Sequence, residues 1–431
     1  MKISRIISWL RSGRVTLIML IVVSFWLPLS KGILPVLLSL TLLFFLIQKK
    51  RSIKFKDVLN DKLLFLIIAF YILHIISLLY SSNLNKALFD LEVKLSILIF
   101  PVIFLFTRLK DLSNFRIKMF NAFILGNVIA SVICIIIAFY HSILNGNGDL
   151  LNISLWTDTR EWSAWKLLVS GYSYFNYTWF SYFHHPSYFG MYLVFAAYLA
   201  FHYLKKYYKL LKEFKIVFYV FALVLFTIMI FLLQSRAVML TAIFIIIFEI
   251  GRTIFVSKRH CTLKIILAIL TVGLILIFAL SNVRFSPFNK TAIDKSEVEL
   301  KSANIRIEIW HKSAIIIKEN FLFGVGNGDV KDVLISNYNT PSLAEAKEKG
   351  FNAHNQFMET TLGLGIIGLV MLAAILSLPF FKKRNFIDFP ISTIFLLIII
   401  SGFIFESMFN AIAGVSFFGL FYSLLFRKEL E

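Results

Sequence analysis

Apolar stretches of about 16 to 25 residues recur along the whole chain, each able to cross a hydrocarbon core of roughly 30 Å as a helix. Lipid offers backbone amides no hydrogen-bond partner, so such stretches must close their hydrogen bonds internally. That requirement points to a polytopic all-α membrane protein. At 59% hydrophobic residues and a mean hydropathy of +0.81, the chain exceeds the roughly 45–50% apolar content of soluble domains. A water-soluble fold has no room to hide that much apolar surface.

Twelve spans are expected, at about 15–30, 33–48, 63–80, 94–107, 119–141, 184–204, 216–233, 236–256, 265–281, 355–381, 390–409 and 411–426. The start, MKISRIISWLRSGR followed by an apolar run, has the charge pattern of a signal peptide but no small-x-small cleavage site, and it reads as a retained first span. The connectors 1–14, 49–62, 108–118, 205–215, 251–264, 382–389 and 427–431 are short and hold 28 of the 44 Lys and Arg residues. The positive-inside bias places them, and with them both termini, in the cytoplasm. The net charge of +20 is thus distributed between apolar segments rather than gathered on a soluble face, which argues against nucleic acid as a partner. Of the two cysteines, Cys134 lies in an apolar run and Cys261 in a basic connector, so neither a disulfide framework nor a metal cluster is implied.

Two connectors on the opposite side are long, 142–183 and 282–354, and long loops in compact proteins tend to carry function. No repeat of 20 to 50 residues is visible, and residues 1–431 read as a single membrane domain. In the longer loop, Ser302 is placed to cap a helix carrying Ile305, Ile309 and Ile316, which would lie along the membrane surface. This helix holds Arg306 near the boundary, either as a snorkelling cation or as a ligand for an anion. Gly324-Val-Gly326-Asn-Gly328 follows without the Lys-Ser/Thr of a P-loop and marks a tight turn.

The loop ends in Asn352-Ala-His354-Asn355 at the mouth of the tenth span. A neutral imidazole there is suited to accept a proton near neutral pH, making His354 the candidate general base; the alternative is an interfacial histidine bonded to a backbone carbonyl. Arg236, in Gln234-Ser235-Arg236, sits at the turn of an apolar hairpin, where a charge toward the midplane costs roughly 2.5–3.5 kcal/mol and calls for an anionic partner. That partner is an anionic ligand or Glu406 in the eleventh span, unless the arginine snorkels. The first long loop is rich in aromatics (Trp156, Trp162, Trp165, Tyr172, Tyr174, Tyr177, Trp179 and Tyr182), which reads as an interfacial belt with some rings available to stack on sugars. His184 and His185 are adjacent and face different sides of a helix, which disfavours a two-histidine metal site.

Four pieces in this order resemble the O-antigen ligase and polymerase superfamily of bacterial envelope glycan enzymes. They are His185-Pro186-Ser187 opening a span, Ser235-Arg236-Ala237 at a hairpin, Arg306 to Trp310 followed by Gly324-Val-Gly326, and His354-Asn355 followed by Gly363-x-Gly365. The likeness covers residues 180 to 425. The family often has a proline shortly before the Gly-Val-Gly turn, and Glu319-Asn-Phe-Leu-Phe323 has none. The resemblance implies a GT-C-like bundle with a catalytic loop in the periplasm of the bacterial inner membrane. It also implies an inverting, metal-independent glycosyltransferase without cofactor. The donor would be a glycan on undecaprenyl diphosphate, and the acceptor a lipid A-core sugar, another lipid-linked repeat, or a protein hydroxyl. On that model Arg236 and Arg306 hold the diphosphate, His354 activates the acceptor, and His185, Trp310, Gly324, Gly326 and Asn355 bind substrate. Twelve spans also suit a flippase or transporter, which would show internal repeats and broken helices, and a noncatalytic envelope scaffold would need none of the three charged residues.

Overall fold

The computed structural model describes residues 13–30, 32–48, 61–107, 109, 111–144, 153–155, 163–170, 173–256, 293–381 and 390–427. The expected ninth span 265–281, Cys261, Trp156, Trp162, Tyr172 and most of the connectors 49–62, 251–264 and 382–389 lie outside the described residues. Among the described residues the structure is all-helical, 82% helix without strands. Its helices begin with α1 (Arg14–Trp26), α2 (Leu34–Ile47), α3 (Lys62–Ile76), α4 (Leu84–Lys94), α5 (Ser96–Phe106) and α6 (Leu112–Leu144). There follow α7 (Ala164–Ser170), α8 (Tyr177–Phe180), α9 (Pro186–Tyr207), α10 (Glu213–Leu233) and α11 (Arg236–Val256). The last are α12 (Ile293–Glu319), α13 (Val330–Ser336), α14 (Ala344–Lys349), α15 (Gln356–Phe381), α16 (Pro390–Phe405) and α17 (Ile412–Phe426).

Among the described residues, five helices are long and apolar enough to cross a membrane: α3 with the turn after it, α6, α9 with the turn after it, α10 and α15. Helices α1, α2, α5, α16 and α17 are equally apolar but shorter, at 10–17 residues. Two expectations are corrected. Ser302 does not cap a helix, because α12 already begins at Ile293 and Ser302 lies inside it. The segment from Leu112 to Lys118, expected in a connector, is the first part of α6, and its Arg116 donates to the carbonyls of Leu424 and Leu425 at the end of α17 (3.1 and 3.2 Å).

The chain forms two compact units, residues 127–301 and residues 1–126 with 302–431. In the first, α9 starts where His185 accepts the Ser187 N–H and Pro186 occupies the first helical position, a proline site that costs no hydrogen bond. Helix α9 packs on α10 and α11, and Gly190 lets α11 approach so closely that an added Cβ would meet the Val238 side chain at 2.4 Å. Within α11, Glu249 is neutralised by Arg252 (2.7 Å) and Lys205 (3.0 Å), as a carboxylate in an apolar helix requires.

The second unit packs α5 against α17 at small residues, with Ser96 bonded to Ser416 (2.9 Å) and Gly419 seated on the Ser96 carbonyl. Its 302–354 region is a folded cap with its own core. Ile305, Ile309 and Ile316 of α12 are buried with Val330, Leu334, Tyr338 and Leu343, and the cluster reaches Leu362 of α15. The isoleucines recur at helical spacing because one face of α12 is covered by α13 and α14. Glu308 accepts from Thr340, and the Thr340 and Ser342 hydroxyls hold its carboxyl below the ordinary range.

The turn after α12 is joined to α15 by backbone hydrogen bonds. Val325 N–H donates to the Leu362 carbonyl (2.7 Å), Gly326 N–H to Gly363 (3.1 Å) and Ile366 N–H to Phe321 (2.8 Å). Helix α15 is broken at Gly365, whose φ of 65° and ψ of −162° leave the helical region and free the carbonyls that the turn uses. An added Cβ at Gly365 would lie 2.2 Å from the Leu322 carbonyl oxygen, and one at Gly324 2.4 Å from that of Leu362. The turn therefore forms without the proline that relatives often carry. Gly365→Ala is expected to destabilise the protein by about 2 kcal/mol or more through strain and overlap, seen as a lowered melting temperature in detergent. Gly251→Ala, where nothing lies within 4 Å, should melt like the parent.

Candidate functional site

The residues expected to do chemistry divide between the two units. Arg236 opens α11 in the first, two residues after Gln234, which takes a left-handed conformation (φ 47°) and donates its side-chain amide to the Leu168 carbonyl (2.6 Å). His185 is in the same unit, capping α9 and meeting the rings of Tyr177 and Tyr188 edge-on at 6.1 and 6.3 Å. Arg306, Trp310, Gly324, Gly326, His354 and Asn355 all belong to the second unit.

Within that second unit, α12 and the segment before α15 converge on one carboxylate. Glu406 directly follows α16, is 8% exposed, and lies with Oε1 3.8 Å from Arg306 Nη2 and Oε2 3.5 Å from His354 Nδ1. The imidazole contact is longer than a formed hydrogen bond, and Nδ1 is buried with no other partner. The Arg306 side chain keeps 40% of its surface exposed.

Several bonds hold His354 where it is. Its backbone is left-handed (φ 46°), a conformation that costs energy for a residue with a Cβ and persists only when the surroundings enforce it. The enforcement is visible on both sides. The His354 N–H donates to Asn352 Oδ1 (2.9 Å) and the Ala353 N–H to Glu359 Oε2 (3.1 Å), while the Trp310 indole donates to the Ala353 carbonyl (2.9 Å). The Phe351 ring stands edge-on to the imidazole at 5.5 Å. Trp310 therefore bonds the chain beside His354, and its indole N–H is spent on that bond.

Asn355 is the helix cap of α15. Its Oδ1 accepts the Met358 N–H (3.1 Å), and its N–H and Nδ2 donate to Ser407 Oγ (3.3 Å) and the Ile404 carbonyl (3.2 Å). Gln356 accepts the Phe409 N–H (2.6 Å), and Glu359 takes bonds from Ser407 (3.3 Å) and Asn410 (2.8 Å) as well as Ala353. The turn between α16 and α17 is thereby fastened to the start of α15, which brings Glu406 to the histidine. Among the described residues, no group of three or more His, Cys, Asp or Glu side chains comes together as a metal site.

Sequence reasoning named the arginines and the histidine but gave Glu359 no role, and placed Glu406 only as a partner for Arg236. The available signal was the cost of a carboxylate beside an apolar span, which demands a cation or a donor set nearby. Gly324 and Gly326 serve the backbone contact with α15.

Residues 221–373 match a family model described as O-Antigen ligase. The matched stretch contains Arg236, Arg306, Trp310, Gly324, Gly326, His354 and Asn355, whereas His185 and Glu406 lie outside it. No curated protein matches the chain. The family match bears out the resemblance to the O-antigen ligase and polymerase superfamily, whose members are membrane glycosyltransferase-like enzymes.

Glu359→Ala removes the acceptor for three donors at once and is expected to cost about 2–3 kcal/mol, since donors left unbonded in a buried place pay their desolvation. Denaturant or thermal unfolding of the purified protein measures it; a loss below about 0.5 kcal/mol would show that the turn after α16 holds without this carboxylate.

Proposed function

Because residues 221–373 carry the O-antigen ligase match, we propose that the protein transfers a glycan from undecaprenyl diphosphate to an acceptor hydroxyl at the periplasmic face of the inner membrane. In the ligase reading the acceptor is a lipid A-core sugar. The observation that carries the proposal is the placement of Arg306 and His354 on the two oxygens of Glu406.

The chemistry asks little more than this arrangement offers. The acceptor oxygen attacks the anomeric carbon as its proton passes to His354 Nε2. The bond from that carbon to the phosphate oxygen breaks, and the lipid diphosphate departs with the electron pair. A single displacement of this kind inverts the anomeric centre. Glu406 beside Nδ1 favours the tautomer with its proton on Nδ1 and stabilises the imidazolium that forms, the role a carboxylate plays behind other catalytic histidines. The diphosphate needs its growing charge balanced, which suits a permanently charged fork such as Arg306. A polymerase or a protein O-oligosaccharyltransferase would run the same step on a different acceptor.

In a reconstituted assay with lipid-linked donor, His354→Ala is expected to lower transfer by about 10²–10⁴-fold while donor binding persists. Glu406→Gln should lower kcat by about 10²-fold with little change in donor KM, since it removes the charge behind the base. Arg306→Lys should also be impaired, because an ammonium cannot make the bidentate contact. Normal turnover by His354→Ala would remove the base assignment, and no transfer by the parent protein under any condition would favour a flippase. In cells, deletion of the gene distinguishes the acceptors: full-length polymer held on the carrier lipid marks a ligase, single unpolymerised repeats a polymerase.

A further inference from the structure

The second unit also holds an open cleft of about 1300 Å³, lined by none of the residues of the Arg306–Glu406–His354 cluster. One wall is the end of α3, the turn after it and the first turn of α4; the other is the Asn320–Val325 turn and α13. The walls are bonded to each other. The Asp329 carboxylate accepts the N–H groups of Ser82 (2.6 Å) and Asn83 (2.8 Å), Lys86 pairs with Asp332, and the Tyr80 hydroxyl donates to the Phe323 carbonyl (2.9 Å).

The lining selects a class of ligand. Asn85, Asn320 and Ser336 offer amide and hydroxyl groups, and Tyr80 and Phe323 add aromatic rings. The charged groups lining it are the carboxylates of Asp329 and Asp332, with Lys86 paired to Asp332 and Lys331 close to it. The lining itself presents no cation to hold a diphosphate. A neutral chain of hydroxyls fits it, since hydroxyls donate to carboxylates, exchange bonds with amides and lay their C–H faces on rings. Exposed Leu79, Leu84 and Phe323 (87, 53 and 59%) stand around the mouth, as expected where a cleft opens at a lipid surface. Arg306 lies within α12 and Asn320 directly after its end, fourteen residues further on, which at 1.5 Å per residue is about 21 Å along the helix. A ligand filling the cleft is thus engaged well away from the reacting bond.

We propose that this cleft is a subsite for an uncharged stretch of the glycan chain, several sugars removed from the diphosphate. The inference rests on the glycosyltransferase reading above. It assigns α4 and the turn before it, which the family match does not reach, to glycan recognition.

The test uses the purified full chain in nanodiscs. The probe is surface polysaccharide from the producing cells released by mild acid, which carries neither diphosphate nor polyprenyl tail. Saturation-transfer NMR and thermophoresis read its binding. Asn85→Trp and, from the facing wall, Ser336→Trp are expected to weaken binding about tenfold or more, with melting temperatures like the parent, while His354→Ala binds as the parent does. Parent-like binding by both blocked variants, or no binding by the parent, overturns the subsite. A failure of the transferase reading shows separately, as the parent's inability to transfer from lipid-linked donor, whatever the outcome with the free glycan.

Discussion

The contact between the Gly324–Gly326 turn and the break in α15 is the constraint on which the site depends. The turn immediately follows α12, which carries Arg306 and Trp310, and the break lies in the helix whose first residue follows His354 and Asn355. Fixing one to the other by backbone hydrogen bonds spaces the two stretches of backbone that carry the guanidinium and the imidazole. Backbone contact at this range is possible only where Cβ atoms are missing on both sides, so glycine is required by space as well as by φ. A side-chain contact would leave more freedom, because rotamers relax where peptide groups do not. Two of the three hydrogen bonds also satisfy carbonyls that the interrupted helix would otherwise leave bare in an apolar setting, and the third gives its Ile366 N–H an acceptor.

Around that junction two carboxylates divide the labour. Glu359 collects donors from Ala353, Ser407 and Asn410 and so ties two chain segments together. Glu406, four residues before Asn410, faces a guanidinium and an imidazole. The first is a structural tie made with neutral donors. The second faces groups whose charge or position changes when a ligand arrives. Their closeness in the fold links the strength of the tie to the geometry of the charge cluster, because the turn that carries Glu406 is held by Glu359.

The helices were legible because apolar runs of that length have few alternatives in lipid, and the candidate cations were legible because charges beside such runs are costly. Ser302 misled because a Ser followed by a periodic apolar pattern looks like a helix start, whereas the helix propagates back to Ile293. Helix α4 escaped because residues 84–94 mix Lys86, Asp90, Glu92 and Lys94 with leucines, a pattern too polar for a span and too short to stand out as an amphipathic helix; Asn83 caps it by accepting the Lys86 N–H. The role of Gly363 and Gly365 was visible only as spacing. What they approach lies some forty residues earlier in the chain, and no local propensity encodes a partner at that separation. Trp310 was expected to bind substrate only because the resemblance implied it, and its indole N–H is committed to the Ala353 carbonyl.

One carboxylate serving two cationic partners has a consequence for the proposed reaction. Glu406 is nearly buried and fastened by the turn around it, while Arg306 keeps 40% of its side-chain surface open. Of the two, the arginine is the group free to move. A diphosphate carries more negative charge than one carboxylate and accepts the guanidinium fork at two oxygens, so its arrival draws Arg306 away from Glu406. Glu406 stays where the turn holds it, 3.5 Å from His354 Nδ1. In the proposed reaction, seating the leaving group and orienting the imidazole are therefore coupled through one shared carboxylate, and the coupling needs no moving lid.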